Sequence, residues 1–314
     1  MHVPVLLNEV IKYLNPQPNQ NFIDCTIGRA GHAFKILELI GTKGALLGID
    51  LWEGAIAELA NLKSQTRAQN KFCARPSTQN HSSALVSNVK NRLILVNDNF
   101  ANLKQIIQKY NFYPVHGVLL DLGLSTDLLE KSGRGFSFMR NEFLDMRYGS
   151  EGITAYEIIN QRSEKELNKI FQKYGEERRA KAIARNIVKF RKKKKIVTTQ
   201  DLVRSIFFQE ESLSKFKIKT LARIFQAVRI DVNNELGNLK IVLPQITNLL
   251  IGGGRVAVIS YHSLEDQIVK EYFKNEKRLK ILSKKPIRPS REEILKNPRA
   301  RSAKLRVAEK ITNN

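Results

Sequence analysis

Apolar residues fall along the chain in two rhythms. Through the first 121 residues they come in short unbroken runs. Such runs cover Asn21–Cys25, Gly44–Asp50, Arg92–Val96 and Val115–Asp121. Between them, Ala33–Ile40 and Leu103–Tyr110 carry apolar residues at helical spacing. Continuous apolar runs alternating with amphipathic helices predict a parallel sheet covered on both faces. The same texture returns at Gly252–Ser260 as a fifth strand, and Ala303–Ile311 reads as a last one.

The rhythm changes between about Ser125 and Lys219. This stretch is rich in Glu, Lys and Arg at helical spacing and has no convincing strand. Ser163 followed by Glu166 has the spacing of a capping box, in which side chain and backbone at a helix start satisfy each other. The pattern predicts a discontinuous α/β domain over 1–126 and 222–314, interrupted by a helical domain over 127–221. A helix is expected over Ala55–Leu62. The polar, Gln/Asn/Ser-rich stretch 64–88 that follows is expected to be a mobile inserted loop, since a compact α/β unit needs only a short connection there.

Charge narrows the partners. Fifty-three Lys and Arg against thirty Asp and Glu leave a net charge of +23. A protein this basic meets a polyanion more readily than it stays alone. Arg191–Lys195 and Lys284-Lys285 are the densest basic clusters and are read as surface contacts to a nucleic-acid backbone, against the plainer reading of a solvated face. No apolar run approaches the roughly 18 residues needed to cross a bilayer, so no membrane partner is expected. The first residues lack the basic and apolar regions of a signal peptide. Cys25 and Cys73 are too few for a disulfide framework or a metal cage, which points to a reducing, cytoplasmic setting and to no metal.

Candidate chemistry gathers where the strands end. Asp24-Cys25-Thr26-Ile27-Gly28-Arg29-Ala30-Gly31-His32 reads as strand, glycine turn and helix start. Glycine lets the backbone pass close to a ligand, and a helix start offers free N–H groups. Asp50, about 20 residues on, suits hydrogen bonding to ribose hydroxyls. Asn97-Asp98-Asn99-Phe100 ends the third strand with an aromatic that could flank an adenine, and Asp121-Leu122-Gly123-Leu124-Ser125 follows the fourth. Open α/β sheets bind ligands at these carboxyl ends. The G-x-G-x-x-G turn of dinucleotide enzymes is absent, with Thr26 at its first glycine, so a nucleoside without phosphates fits better than a dinucleotide. Singly, Asp24 and Asp50 could as well cap helices, and Phe100 could be core.

The chain resembles the RsmH (MraW) family. The likeness is carried, in order, by the block from His2 to Glu9, by Asp24–His32, Gly135–Met139, Leu144–Arg147, Tyr174–Arg178, Phe225–Ile230, Asn234–Leu236, Ser260–Asp266 and Asn297–Lys304. It spans nearly the whole chain. It implies a Rossmann-like methyltransferase sheet with an inserted helical substrate-recognition domain. It further implies transfer of a methyl group from S-adenosylmethionine to N4 of a cytidine in the decoding region of 16S ribosomal RNA. By position, the family's cofactor contacts fall on Ala30, Gly31, His32, Asp50, Phe100 and Asp121. Three departures stand out: Leu128 where the family usually has a glutamine, the 64–88 stretch, and Lys217–Thr220 where the family more often has a His-Pro pair.

The lone pair of the cytosine amine is delocalised into its ring. Methylation therefore needs an acceptor facing the amine N–H groups, together with in-line alignment. Asp121 or a backbone carbonyl beside it is the expected acceptor, with Ser125 assisting. The alternative for Asp121 is that it holds the amino group of the cofactor's methionine. His262 is a third catalytic candidate, or else a strand-end histidine satisfied locally. Phe136, Phe138 and Tyr261 are read as stacking platforms for a splayed base, or as interdomain core. Arg134, Arg147 and Arg229 suit phosphate contacts or buried ion pairs. No covalent cysteine is needed. Beside a methyltransferase on small-subunit RNA, which could act as a homodimer, stands a catalytically impaired ribosome-binding assembly factor. A DNA amine methyltransferase would carry Asp-Pro-Pro-aromatic at the fourth strand end, which is missing.

Overall fold

The computed structural model describes residues 4–69, 92–207 and 214–312. The elements are α1 (Leu7–Leu14), β1 (Phe22–Asp24), α2 (Gly31–Leu39), β2 (Leu46–Asp50), α3 (Glu53–Gln69), β3 (Leu93–Asn97), α4 (Leu103–Tyr110) and β4 (Val115–Asp121). Then come six helices: α5 (Thr126–Glu130), α6 (Ala155–Gln161), α7 (Glu164–Lys173), α8 (Ala180–Arg191), α9 (Thr199–Phe207) and α10 (Lys215–Asn233). The chain closes with α11 (Glu235–Leu249), β5 (Leu250–Ser260), α12 (Ser263–Asn275), β6 (Leu279–Ile281), α13 (Arg291–Lys296) and β7 (Lys304–Lys310).

The chain divides into two compact units, Met1–Gly123 with Asn238–Asn314, and Leu124–Gly237. The sequence pattern put the return to the first unit at residue 222. Helix α10 runs unbroken through that position, so the division falls after it.

The first unit is built on a sheet ordered β3-β2-β1-β4-β5-β7-β6. The strands from β3 through β5 are parallel, while β7 runs antiparallel to both β5 and β6. Successive strands step outward from β1 to β3, then return to the other side of β1 as β4. This reversal between β1 and β4 opens the crevice in which such sheets bind ligands. Register brings three carboxylates to the same edge: Asp24 pairs with Gly48 and Leu119, which lie two residues before Asp50 and Asp121.

Alternation along the strands feeds two cores. Ile23, Leu47, Val118 and Val258 pack on one face with Ile106 and Ile107 of α4, Val242 and Ile246 of α11, and Phe273 of α12. Phe22, Leu46, Leu119 and Ile259 pack on the other with Val10 and Leu14 of α1 and Ile36 and Leu37 of α2. The expected helix 55–62 extends to Gln69 and so takes in part of the polar stretch; the remainder of 64–88, with Cys73, lies outside the described residues. No helix among the described residues is long and apolar enough to cross a membrane.

The inserted unit is helical. The capping box at α7 forms as its spacing predicts: Glu166 N–H donates to Ser163 Oγ at 3.2 Å, and Ser163 N–H donates to Glu166 Oε2 at 2.8 Å. The interior is apolar, with Leu167, Phe171, Ile183, Ile187, Leu202, Leu221, Ile224 and Val228 buried. An ion pair joins it, half-buried Arg223 donating from Nε to buried Glu177 Oε2 at 2.7 Å.

Candidate active site

The turn after β1 is held by carboxylates from the neighbouring strands. Asp24 is buried, and its Oδ1 accepts Thr26 N–H at 3.1 Å. The Thr26 hydroxyl accepts Asp121 N–H at 2.7 Å, which ties β4 to the turn. Gly28 has φ +47°, a left-handed conformation that glycine adopts without cost, and donates its N–H to Asp50 Oδ2 at 2.9 Å. Asp50 Oδ1 accepts Trp52 N–H at the same distance.

Ala30 is also left-handed, at φ +59°, and offers no side-chain cap to α2. A non-glycine residue held there is strained by about 1–2 kcal/mol. Such strain persists where the surroundings over-determine it, commonly at ligand sites. The amino-terminal segment seals this corner. A Cβ added to Gly31 would fall 2.3 Å from Pro4 Cγ, so only glycine fits under the proline. His32 Nε2 lies 2.9 Å from the Val5 carbonyl, which can only accept, so that nitrogen carries the proton. Nδ1 of the same ring then faces Asp121 Oδ2 at 4.0 Å.

Beyond β3, Asp98 N–H and the Asn97 side-chain amide both donate to the Asp50 carbonyl, at 3.2 and 2.9 Å. Asn99 accepts Ala101 N–H at 2.9 Å and so starts a short 3₁₀ turn over Phe100–Asn102. Phe100 is half-buried against the core edge, leaving part of its ring available to a ligand. Beyond β5, the Tyr261 hydroxyl hydrogen-bonds the Asp121 carboxylate. Contacts through the β1 turn therefore link His32, Asp50, Asp121 and Tyr261 within the first unit, with Ala30 and Gly31 at the start of α2 and Phe100 just beyond β3.

Electrostatics at this edge are unbalanced toward negative charge. Burial pushes the Asp24 carboxyl up to about 7, with the charges of Asp121 and Asp50 adding to it and the Thr26 N–H opposing. Burial also raises Asp50, against the N–H groups of Trp52 and Gly28. Burial and then the Asp121 carboxylate drive the Tyr261 phenol well above its ordinary value. Three carboxyls on adjacent strand tips suit a ligand that brings positive charge. Thr26 was not singled out as functional from sequence, although an Asp two residues before a Thr is the spacing of a turn closed by its own side chain.

The other predicted residues are engaged locally. His262 caps α12: its Nδ1 accepts Glu265 N–H at 3.5 Å, and Glu265 Oε2 accepts Tyr261 and His262 N–H at 2.8 and 3.3 Å. Ser125 caps α5, its Oγ accepting Leu128 N–H at 3.1 Å. Leu128, at the family's glutamine position, is buried. Arg134 donates to the carbonyls of Arg147, Tyr148 and Gly149 at 2.7–3.0 Å. Arg147 makes a two-point pair with Asp145, at 2.7 and 3.0 Å, and Arg229 one with Glu235, at 2.8 and 2.9 Å. Phe136 stacks on Tyr148 at 5.7 Å, and Phe138 meets Phe225 edge-on at 5.5 Å. Arg147 and Arg229 thus form ion pairs within the inserted unit, Arg134 binds carbonyls there, and both aromatic pairs lie in that same unit.

The profile of the MraW methylase family matches residues 1–75 and 64–311. The chain belongs to this family. It is similar over its full length to proteins named ribosomal RNA small subunit methyltransferase H. The one from Caldicellulosiruptor saccharolyticus is 41% identical over 332 aligned positions, covering 99% of each chain. The one from Dictyoglomus thermophilum is also 41% identical, covering 100% of this chain and 98% of its own. That from Clostridioides difficile is 39% identical, with 99% of each covered. Membership of the MraW methylase family makes the chain a methyltransferase.

Proposed function

We propose that this MraW-family methyltransferase transfers a methyl group from S-adenosylmethionine to N4 of a cytidine in the decoding region of 16S ribosomal RNA. Its partner is the small ribosomal subunit, and its setting is the cytoplasm. The observation that carries the reading is the full-length identity of 41% to small-subunit ribosomal RNA methyltransferases.

The acidic strand tips fit the cofactor's charges. The uncapped start of α2, at Gly31 and His32, would take its carboxylate through free N–H groups. Asp50 would face the ribose hydroxyls, Phe100 the adenine, and Asp24 the cationic end. When bound, S-adenosylmethionine supplies an electrophilic methyl on a sulfonium.

The chain's own groups do the rest. With the cofactor bound, the cytosine amine would receive the methyl group and would then have to give up a proton to a group of this chain or to solvent. An acceptor facing the amine localises its lone pair and takes up the positive charge that develops. Asp121 is that acceptor in our reading. Tyr261 holds its carboxylate in place, and His262 at the start of α12 lies one residue further along the same strand end.

The test is transfer of tritiated methyl groups to small subunits from cells lacking this modification, followed by nuclease digestion. Label in N4-methylcytidine supports the reading, and label elsewhere or nowhere overturns it. Calorimetry with S-adenosylmethionine separates a methyltransferase from an assembly factor that no longer binds the cofactor, a distinction made pertinent by Leu128.

A further inference from the structure

We propose that the outward face of α8, with the turn that follows it, grips the phosphate backbone of the RNA substrate. This rests on the RNA substrate proposed above.

Helix α8 buries Ala180, Ile183, Ala184 and Ile187 inside the inserted unit. Its exposed positions include Lys181, Arg185 and Lys189. These recur every fourth residue, so they form one row with a charge about every 6 Å. Exposed Lys192 and Lys193 continue the row into the turn.

The basic run 191–195 is not uniform. Arg191 turns inward and donates to the carbonyls of Ile159 and Arg162. Lys194 pairs with Asp201 at 3.0 Å. These two fasten the turn. Lys192, Lys193 and the helix row are left pointing outward. Arg185 meets Glu164 at 3.8 Å, in a loose contact between side chains that are 66% and 41% exposed. Exposed pairs of this kind contribute little.

Like charges at Lys181, Arg185, Lys192 and Lys193, exposed along one face, repel each other unless a polyanion neutralises them. A strand of phosphates does so and releases its counterions. A membrane surface fits less well, because Ile183 and Ile187 of this helix are buried inside the unit and do not stand beside the row to insert.

The experiment uses the full chain carrying Lys181→Glu, Arg185→Glu and Lys192→Glu together, and a milder form with glutamine at the same positions. Binding to deproteinised small-subunit ribosomal RNA is titrated between about 50 and 200 mM salt. Both triple variants should lower the log–log salt slope by about 2, at about 0.7 for each single-strand phosphate lost. Calorimetric affinity for S-adenosylmethionine should stay at the wild-type value. An unchanged slope in the folded glutamine variant overturns the proposal. So does loss of binding to phosphatidylglycerol vesicles with RNA binding intact, which would assign the row to a membrane. A lowered slope from a wild type that transfers no methyl group sinks the proposed reaction and supports the row as an RNA surface.

Discussion

The carboxylate of Asp50 accepts the N–H of Gly28, 22 residues earlier in the chain, at 2.9 Å. Its second oxygen accepts Trp52 N–H at 2.9 Å. The residue read as a ribose partner therefore also shapes the turn that meets the cofactor. Asp50→Ala leaves both N–H groups without their acceptor and should destabilise the protein by about 1–3 kcal/mol. Asp50→Asn should do nearly as badly, because one amide position donates and would face a donor. Urea unfolding without cofactor measures the effect. Wild-type stability in both variants would remove Asp50 from the structural role.

Asp24 sets a pH dependence whose sign follows from its direction of shift. Burial first, then Asp121 and Asp50, raise its carboxyl to about 7 from an ordinary 3.8. Between those values the folded protein holds a proton that the unfolded chain has released. Stability therefore falls as pH rises through this window, by about 1.4 kcal/mol for each unit separating the two states. Asp24→Asn keeps an acceptor for Thr26 N–H and removes the titration. Thermal unfolding at pH 5 and pH 8 should show the wild type losing stability relative to the variant at the higher pH. Parallel behaviour would contradict a protonated Asp24.

The same cluster should release a proton when S-adenosylmethionine binds. A cation beside Asp24 favours its charged form. Calorimetry near pH 7 in buffers of different ionisation enthalpy should give different apparent heats for the wild type. The difference should shrink in Asp24→Asn. Equal heats in every buffer for the wild type would mean that the cofactor's charge lies elsewhere.

Much of this architecture was legible in the chain. Strand β4 and helix α4 lie where their apolar patterns put them, because each has a clean period and a buried face. The three-residue β6 was not foreseen; it is too short to carry a period and exists by pairing with β7. The strand-tip carboxylates were legible because a motif fixes them locally. The employment of Arg134, Arg147 and Arg229 was not. Whether an arginine reaches phosphate or an internal partner depends on residues as distant as Tyr148 or Glu235, which spacing does not reveal. Thr26 was missed for the same reason, since its partner Asp121 lies 95 residues away.

Tyr261→Phe removes the hydroxyl that hydrogen-bonds Asp121 while keeping the ring. Loss of one bond to a charged group costs about 1.5–3 kcal/mol, or roughly 10- to 150-fold in kcat/KM if Asp121 is the acceptor. The phenol, driven well above its ordinary range, contributes no titration near neutrality. The pH–rate profile of the variant should keep its shape and fall as a whole. A change of shape would give Tyr261 a proton-transfer role.

Ser125→Ala tests whether that serine assists catalysis or only caps α5. As a cap, its loss should cost about 1 kcal/mol of stability and leave kcat nearly unchanged. A fall in kcat beyond tenfold, with unfolding unchanged, would restore the assisting role.

Asp121→Asn separates the two roles open to that residue. If Asp121 accepts from the cytosine amine, the neutral amide weakens stabilisation of a charge that develops only in the transition state, so kcat falls while cofactor affinity holds. If it holds the methionine amino group instead, the affinity for S-adenosylmethionine falls, and turnover at saturating cofactor recovers. The geometry bears on both outcomes, since Gly123 N–H, 3.4 Å from Oδ1, favours an oxygen in that place. The amide should therefore settle with its NH₂ toward His32 Nδ1, which stands 4.0 Å from the other oxygen and can accept. The fold should be spared, and the measurement then reads chemistry. Calorimetric affinity set beside single-turnover methyl transfer decides the matter, and intact single-turnover rates would take Asp121 out of the acceptor role.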